Sequence, residues 1–428
     1  MKIAVTGANG YIGQCFLKLA SGSENEIVAF SRVRPERNCT DWFFYDLTVN
    51  TPPVLPSDID VVLHLATSKI PDNLQMKEQE LLAGDLLIEA SKKVGAKLIF
   101  VSSQTARFDA PTSYGRTKWH IEQKMLSAGG WVVRPGQVYG GELRGLFGTL
   151  VDTVNRLPVL PSFIPAPKIQ PIHVDDLVMG LLHIVERSDV SSGVYCLAAP
   201  ESVSFSKFLG EIAISRLRCW RMFIPVPVIC MKVLGLILGK SLRSRLGLER
   251  LNSLFDLPAM TTTANLKQLN LTLRPLHSGM QPSGKNRRRC LLQEGQALFT
   301  YILKEPAGTL LLRRYVRTIE KLRAGRILGL PKQFIGWTAL LALIDGGCNT
   351  KTPWGKEFMW RLDSATILAE ATTLGARRFL GIGYRHGFVR SFFRIAHAVV
   401  SEVSWQILGL LLAPVIRNIL PHAFEEQS

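Results

Sequence analysis

The sequence predicts an α/β protein, in which a doubly wound parallel sheet is followed by a small subdomain and a mostly helical C-terminal extension. Three observations lead to this prediction. The first 200 residues alternate short apolar runs with amphipathic stretches, as parallel strands joined by crossover helices do. A glycine-rich loop follows the first apolar run directly. From residue 290 onward helical periodicity dominates, with basic faces and an apolar run at 334–344.

Six apolar runs are candidate strands: Lys2–Thr6, Glu26–Ser31, Asp60–Leu65, Lys97–Ser102, Trp131–Arg134 and Val194–Ala199. Candidate helices between them begin near Tyr11, Asn73, Ser113 and Gly145. A further helix is expected at 204–217, with Ser204 as its N-cap, because a serine oxygen there accepts from a free backbone N–H. Short helices and loops are expected from Pro225 to about Ser278.

The length and composition predict a folded protein of two or three domains. The chain has 428 residues, of which 47% are hydrophobic and 20% are charged, and this composition is typical of a protein with a good core. Residues 278–289 are rich in Gly, Ser and Pro and then strongly basic. We therefore expect a domain at 1–200, a small subdomain at 201–278, a basic linker at 279–289 and a helical extension at 290–428.

The N-terminus and the cysteines indicate a cytoplasmic protein. Residues 2–6 have the pattern of a buried strand and not that of a signal peptide. The seven cysteines are scattered, and the sequence shows no CxxC pair and no HExxH spacing, so neither disulfides nor a metal site are predicted. The uncharged run at 405–416 is twelve residues long, shorter than the ~20 that a spanning helix needs. A transmembrane span is therefore not favoured.

Positive charge is concentrated in the C-terminal part of the chain. Residues 1–190 contain 19 Lys and Arg against 20 Asp and Glu, and residues 191–428 contain 32 against 14, which together give the net +17. A basic, apolar segment favours an anionic partner. Peripheral contact with the inner face of the membrane is one expectation, and a soluble helical cap or a homodimer interface is the alternative. The run at 287–289 lacks interleaved aromatic residues, so nucleic-acid binding is not expected.

Gly7, Gly10 and Gly13 form a GxxGxxG loop that follows the first strand and opens a helix. Glycines allow the tight turn and let the backbone approach a pyrophosphate, whose charge the helix N-terminus favours. This loop predicts a dinucleotide site in a Rossmann-type domain.

The end of the second strand predicts which dinucleotide is bound. An acidic residue there accepts from the ribose 2′-hydroxyl of NAD, whereas an arginine accommodates the 2′-phosphate of NADP. This chain has Ser31, Arg32 and then Arg34, without an acidic residue at the strand end. NADP is therefore favoured slightly over NAD, while Glu36 keeps NAD open.

Tyr114 and Lys118 stand four residues apart, which places them on one face of a helix. A nearby ammonium favours the phenolate, so that Tyr114 can take a proton from a hydroxyl while hydride leaves the carbon. Ser102 and Ser103 stand at the end of the fourth predicted strand, Lys97–Ser102, and either hydroxyl could hold the substrate oxygen. The order of these elements predicts hydride transfer to or from an alcohol or ketone.

Together these segments resemble the extended short-chain dehydrogenase/reductases, specifically the NAD-dependent epimerase/dehydratase group, which works largely on nucleotide sugars. The matching segments are TGANGYIG at 6–13, Asp46-Leu47, His64-Leu65-Ala66, VSSQTA at 101–106, YGRTK at 114–118, RPGQVYG at 134–140 and IHVDDL at 172–177. The resemblance covers about residues 1–275.

The resemblance implies roles for individual residues. The catalytic residues would be Ser103, in preference to Ser102, together with Tyr114 and Lys118. The cofactor-binding residues would be Gly7, Gly10, Tyr11, Ile12, Gly13, Ser31, Arg32, Asp46, Leu47, Leu65, Ala66, Tyr114 and Lys118. His173 is expected to have a packing and hydrogen-bonding role.

Two features depart from the family pattern. Only ten residues, 104–113, separate Ser103 from Tyr114, where many sugar-modifying members have twenty or more, so the substrate rim on that side is shortened. The region from residue 290 onward resembles no standard module of the family.

The leading hypothesis is therefore an NAD(P)-dependent epimerase or reductase, acting on a secondary alcohol or ketone of a nucleotide-linked sugar. A second hypothesis keeps the chemistry but replaces the sugar with a sterol-like or lipid-linked substrate at a membrane surface. A third is a non-catalytic NADP(H)-binding sensor or scaffold, although such proteins commonly lose the Tyr/Lys pair that this chain retains.

Overall fold

The computed structural model describes the whole chain except residues 23, 37, 68–73, 230–253, 283, 346–351, 381–386 and 420–428. The described residues form two compact units. The first comprises Met1–Leu209 and Phe223–Gly279, and the second comprises Gly210–Met222 and Met280–Ser428.

The first unit is built around a seven-stranded sheet in which all neighbouring strands run parallel. Its order is β11-β6-β5-β4-β1-β2-β3. The strands are β1 Lys2–Thr6, β2 Glu26–Ser31, β3 Asp41–Phe44, β4 Val61–His64, β5 Lys97–Val101, β6 Trp131–Pro135 and β11 Gly193–Leu197. The chain reverses its winding direction between β1 and β4, and in doubly wound sheets ligands bind in the crevice at that point.

Both faces of this sheet are buried, which explains the continuous apolar runs of its strands. Ile3 and Val5 of β1 belong to the core on one face, whereas Ala4 belongs to the core on the other. The predicted α/β fold is confirmed. The sequence reasoning missed β3, because this edge strand has only four residues and exposes Phe43 and Phe44.

Up to residue 280, the helices whose two bounds lie in the described part of the chain are α1 Tyr11–Ala20, α2 Leu74–Val94, α3 Ser113–Ser127, α4 Gly145–Arg156, α5 Val174–Glu186, α6 Phe205–Glu211, α7 Thr263–Gln268 and α8 Leu276–Met280. Asn73, the expected start of α2, lies outside the described residues. The backbone N–H of Lys207 donates to Ser204 Oγ at 3.2 Å, as expected for an N-cap. The helix after Ser204 changes to a π-helix at Ile212–Arg216.

Three smaller strand pairs extend the first unit. The short strands are β7 Gln137–Tyr139, β8 Val159–Ile164, β9 Lys168–Ile169, β10 Pro171–His173, β12 Val203–Ser204 and β13 Met222–Pro227. β7 pairs with β10, β8 with β13, and β9 with β12. The segment around residue 258 is fixed to this unit by side chains, since Gln104 donates to Pro258 O at 2.7 Å and Gln170 bonds both backbone groups of Met260.

The second unit is helical, as predicted. It contains α9 Gly284–Leu303, α10 Thr309–Leu322, α11 Lys332–Gly336, a 3₁₀ turn at Thr338–Leu341, α12 Ala342–Asp345, α13 Pro353–Glu370, α14 Thr373–Phe379 and α15 Phe388–Ile419. The unit has its own apolar core, in which the buried Glu294 accepts hydrogen bonds from the backbone N–H groups of Leu328 and Gly329 at 3.0 and 2.8 Å. The buried Arg361 lies 3.6 Å from the same carboxylate.

The segment 279–289, which was expected to be a linker, is partly helical in the structure. Residues 284–289 form the first turns of α9, because the Gly/Ser/Pro-rich stretch ends at 284 and the Lys and Arg residues that follow are good helix formers. Ser283 lies outside the described residues.

The prediction against a membrane span was based on the run at 405–416 and not on the longer helix that contains it. Within the described residues, one helical segment, Val389–Leu412, is long and apolar enough to do so by length and composition. An uncharged run does not extend over the whole segment, because the charged residues Arg390, Arg394 and Glu402 interrupt a sequence that is otherwise mostly apolar.

Candidate active site

The predicted cofactor loop lies between β1 and α1, at the carboxyl end of the strand. Gly7 has a φ of +68°, and Gly10 is the N-cap of α1. A Cβ at Gly13 would lie 2.4 Å from the carbonyl oxygen of Gly7, so only glycine lets the helix approach the loop so closely. The geometry therefore fits a dinucleotide pyrophosphate at the N-terminus of α1.

Thr6 and His64 connect the cofactor loop to the end of β4. Thr6 Oγ1 lies 2.7 Å from His64 Nδ1, and it accepts from the backbone N–H groups of Leu65 and Ala66 at 3.2 and 3.3 Å. The predicted cofactor segment Leu65-Ala66 is thus fixed beside Gly7. His64 is fully buried and stacks on Phe100.

Burial, with a smaller contribution from Lys118, lowers the pKa of His64 from 6.5 to about 3. The unfolded chain takes up this proton below pH 6.5 and the folded chain does so only near pH 3, so acid favours unfolding in that window. We expect the free energy of unfolding to fall with decreasing pH below 6.5, by up to about 1.4 kcal/mol per pH unit from this group. Urea unfolding at several pH values measures the slope. His64→Asn should flatten it and the exposed His120→Gln should not; equal slopes in all three proteins would contradict the assignment.

The end of β2 carries the residues predicted to distinguish NADP from NAD. Ser31 is buried, and its Oγ donates to Val33 O at 2.7 Å. Trp42 Nε1 donates to Ser31 O at 3.1 Å. Arg32 and Arg34 are both exposed. These contacts fix the turn after β2, and the exposed guanidinium groups are accessible to a ligand; a role of Ser31 and Arg32 in cofactor binding stays a prediction.

Asp46 and Leu47, the predicted adenine-contacting pair, follow β3 and are half-buried. Asp46 Oδ1 accepts from the backbone N–H of Thr48 at 3.0 Å, which fixes the turn after the strand. Leu47 and Ala66 pack against the same apolar core. The roles of these residues in adenine binding stay a prediction.

The two serines after β5 differ in environment. Ser102 is buried and its Oγ forms no hydrogen bond with the described residues, whereas Ser103 is half-buried and its Oγ lies 2.9 Å from Thr105 Oγ1. The better access of Ser103 agrees with its choice as the catalytic hydroxyl, which stays a prediction.

Tyr114 and Lys118 lie in the first turns of α3, whose N-cap is Thr112. Lys118 Nζ lies 5.8 Å from the centre of the Tyr114 ring and 4.8 Å from that of Phe100 in β5. Tyr114 is 40% exposed and Lys118 is buried. A solvent-accessible phenol beside a buried ammonium is the arrangement that the predicted acid/base role needs.

The short connection between Ser103 and Tyr114 brings α3 against the loop after β5. A Cβ at Gly115 would lie 2.5 Å from the carbonyl oxygen of Thr105 and 2.7 Å from Ala110 Cβ. Gly115 is therefore required for the close approach. Arg107 in the same connection forms an ion pair with Asp256, so the segment around residue 256 lies beside it.

Sequence reasoning missed Glu80, which pairs with Lys118. Glu80 Oε1 lies 3.3 Å from Lys118 Nζ, the side chains are 6% and 3% exposed, and Thr67 Oγ1 donates to the same oxygen at 3.0 Å. Glu80 precedes the buried Ala83, Leu87 and Ser91 of α2 at intervals of three and four residues. A carboxylate on the buried face of a helix indicates that the carboxylate has a partner inside the protein.

His173 and the acidic pair after it have structural roles. His173 is the N-cap of α5, and its Nδ1 accepts from the backbone N–H of Asp175 at 3.1 Å, in agreement with the expected hydrogen-bonding role. Asp176 lies 2.7 Å from Arg274, and Tyr11 donates to Gly140 O at 2.6 Å. The first contact joins α5 to the segment before α8, and the second joins α1 to the RPGQVYG segment.

Comparison with known proteins agrees with this geometry. The model of the RmlD substrate binding domain family matches residues 1–268. The chain belongs to this family. The match covers the whole sheet, the candidate site and α7, and it confirms the resemblance to the extended short-chain dehydrogenase/reductases of the epimerase/dehydratase group. The chain is therefore a nicotinamide-dependent enzyme of the oxidoreductase or isomerase class.

The relatives that this chain matches have names that describe diverse functions. The mitochondrial NADH dehydrogenase [ubiquinone] 1 alpha subcomplex subunit 9 of Dictyostelium discoideum is 26% identical over 296 residues, 64% of this chain and 81% of that protein. UDP-glucose 4-epimerase of Vibrio cholerae is 24% identical over 274 residues, 56% and 83% of the two chains. Ceramide reductase of Caulobacter vibrioides is 28% identical over 220 residues, 45% and 66%.

Among solved structures, the UDP-glucose 4-epimerase of Thermotoga maritima has a TM-score of 0.50 and 16% identity, over 66% of this chain and 96% of that one. This similarity concerns the fold alone. It leaves about a third of this chain unmatched.

Proposed function

We propose that this protein transfers a hydride between a bound nicotinamide dinucleotide and a secondary alcohol or ketone of a nucleotide-linked sugar. The observation that carries the proposal is the placement of Lys118 Nζ beside the exposed Tyr114 ring, on a helix packed against the loop of Ser103. The glycine loop after β1 provides the cofactor site at the same edge of the sheet.

Each residue has a defined task in this proposal. Ser103 Oγ donates a hydrogen bond to the substrate oxygen. In oxidation, Tyr114 takes the hydroxyl proton while the carbon gives up its hydride; in reduction, Tyr114 returns a proton to the carbonyl oxygen that receives the hydride on carbon. Lys118 holds its positive charge beside the Tyr114 ring, with Nζ 5.8 Å from the ring centre. The bound nicotinamide supplies or accepts the hydride.

Native mass spectrometry of the purified full chain tests which reaction of this class occurs. An epimerase returns the hydride to its own product and keeps its cofactor, so tightly retained NAD indicates an epimerase. An empty site that fills preferentially with NADPH indicates a reductase. Failure to bind either dinucleotide would contradict the proposal.

We infer a slight preference for NADP from Arg32 and Arg34, which are exposed after β2. In Arg32→Ala/Arg34→Ala we expect the Kd for NADPH to rise about tenfold, because a hydrogen bond to a charged group is worth roughly 1.5–3 kcal/mol. The Kd for NADH should change little. Fluorescence titration with both cofactors measures this, and the exposed Arg156→Ala is the control. Equal weakening of both cofactors would refute the assignment.

A reductase of a sterol-like or lipid-linked ketone is the second candidate. Two observations favour it: one relative is a ceramide reductase, and helix α15 exposes apolar side chains. Ser103, Tyr114 and Lys118 have the same roles with such a substrate. NADPH oxidation with long-chain ketones dispersed in detergent, compared with oxidation with UDP-linked ketosugars, distinguishes the two candidates.

A further inference from the structure

Helix α15 carries a continuous apolar stripe on its solvent-facing side. Going along the helix, the stripe includes Val389, Phe393, Val400, Val403, Ile407 and Leu411. At 100° per residue these six side chains fall within one quarter of the helix circumference. Each is between 48% and 70% exposed. Soluble monomers rarely expose contiguous apolar patches larger than a few hundred Å².

The opposite side of α15 packs against its own unit. Trp405 and Leu412 contact the apolar core of the second unit, and Gly409 is buried with the backbone of Leu343 close by. The helix is thus held to the protein along one side, and its apolar stripe faces outward. Packing within the described residues does not cover the stripe.

The charges on the helix and in the C-terminal part of the chain indicate which kind of surface covers the stripe. Arg390 and Arg394 lie four residues apart near the start of the helix, outside the stripe, and both are exposed. Residues 191–428 carry 32 basic against 14 acidic residues. A helix with an apolar face and basic residues on its polar side is suited to an anionic lipid surface.

We propose that α15 lies in the surface of an anionic bilayer, with its apolar stripe among the lipid chains and Arg390 and Arg394 at the headgroups. A helix in the membrane plane keeps polar side chains out of the hydrocarbon that a spanning helix would carry them through: Arg390, Arg394, His397, Glu402 and Gln406 are all exposed within the segment. This inference concerns the second unit and does not depend on the proposed reaction.

Flotation of the full chain with preformed vesicles tests the proposal. We expect binding to vesicles of phosphatidylcholine mixed with phosphatidylglycerol, and weaker binding to phosphatidylcholine alone or at high salt. Val400→Asp should lower the partition coefficient about tenfold, because it removes an apolar side chain from the lipid phase and adds a charge. Arg390→Ala/Arg394→Ala should reduce the preference for anionic vesicles.

Ile367→Asp is the matched control. Ile367 lies in α13 of the same unit and is 67% exposed, close to the 65% of Val400, but it is not part of the stripe. Its substitution should leave vesicle binding unchanged. The proposal is overturned if the chain binds neither vesicle, if both Asp variants lose binding equally, or if the chain enters membranes only when reconstituted from detergent, as a spanning helix would. Concentration-dependent dimers that Val400→Asp abolishes, without vesicle binding, would instead assign the stripe to a second copy.

Discussion

Replacing Tyr114 by Phe is expected to reduce turnover about 10³-fold while leaving cofactor binding intact. The loss corresponds to removal of a positioned acid/base, which contributes roughly 10²–10⁴ to a rate. Tyr114 is 40% exposed, so removal of its hydroxyl should change the free energy of unfolding by less than about 0.5 kcal/mol. Steady-state kinetics on the substrate class that the native protein accepts, with cofactor titration, measures both quantities.

The control for this variant is Tyr301→Phe. Tyr301 lies in the second unit, where its hydroxyl donates to Asp345 at 2.7 Å, and it has no place in the proposed chemistry. Its removal should leave kcat unchanged. A Tyr114→Phe enzyme with full activity would exclude the mechanism, whereas a variant that fails to bind cofactor would show that Tyr114 acts in binding.

The fold of the first unit could be predicted from sequence because buried parallel strands are continuous apolar runs with defined ends. β1 and β2 begin and end at the predicted residues. The edge strand β3 could not be predicted, because an exposed four-residue strand lacks that pattern. The α9 start was also misjudged, since a basic run has the same composition in a solvated linker as on a helix surface.

The candidate site was predictable where its residues follow one another along the chain, as in the glycine loop and the Tyr114–Lys118 helix. Contacts between segments that are distant in the sequence were not predictable. Glu80 reaches Lys118 across 38 positions, and local spacing contains no information about such a pair. Gly115 belongs to the YGRTK motif, but its steric role depends on the fold of the shortened connection between Ser103 and Tyr114.

Replacing Glu80 by Ala is expected to destabilise the protein by about 3 kcal/mol and to slow turnover. The substitution leaves the buried Lys118 ammonium without its carboxylate, and breaking a buried ion pair from one side costs roughly 3–5 kcal/mol. Turnover should fall because Lys118 loses the contact that fixes Nζ beside Tyr114. Urea unfolding and steady-state kinetics measure the two effects. Glu80→Gln, which keeps an oxygen for Thr67, should retain more of both.

A double-mutant cycle separates the ion pair from the general effect of a smaller side chain. In a Lys118→Met background no ammonium remains to be left unpaired, so Glu80→Ala should cost much less stability there. Replacing both partners by apolar residues, Glu80→Leu/Lys118→Met, should leave stability nearly unchanged, since apolar substitution of a whole buried pair is often neutral. The same double variant should be inactive, because stability does not require the Lys118 charge whereas the proposed chemistry does. Equal costs of Glu80→Ala in both backgrounds would show that Glu80 acts through packing and not through Lys118.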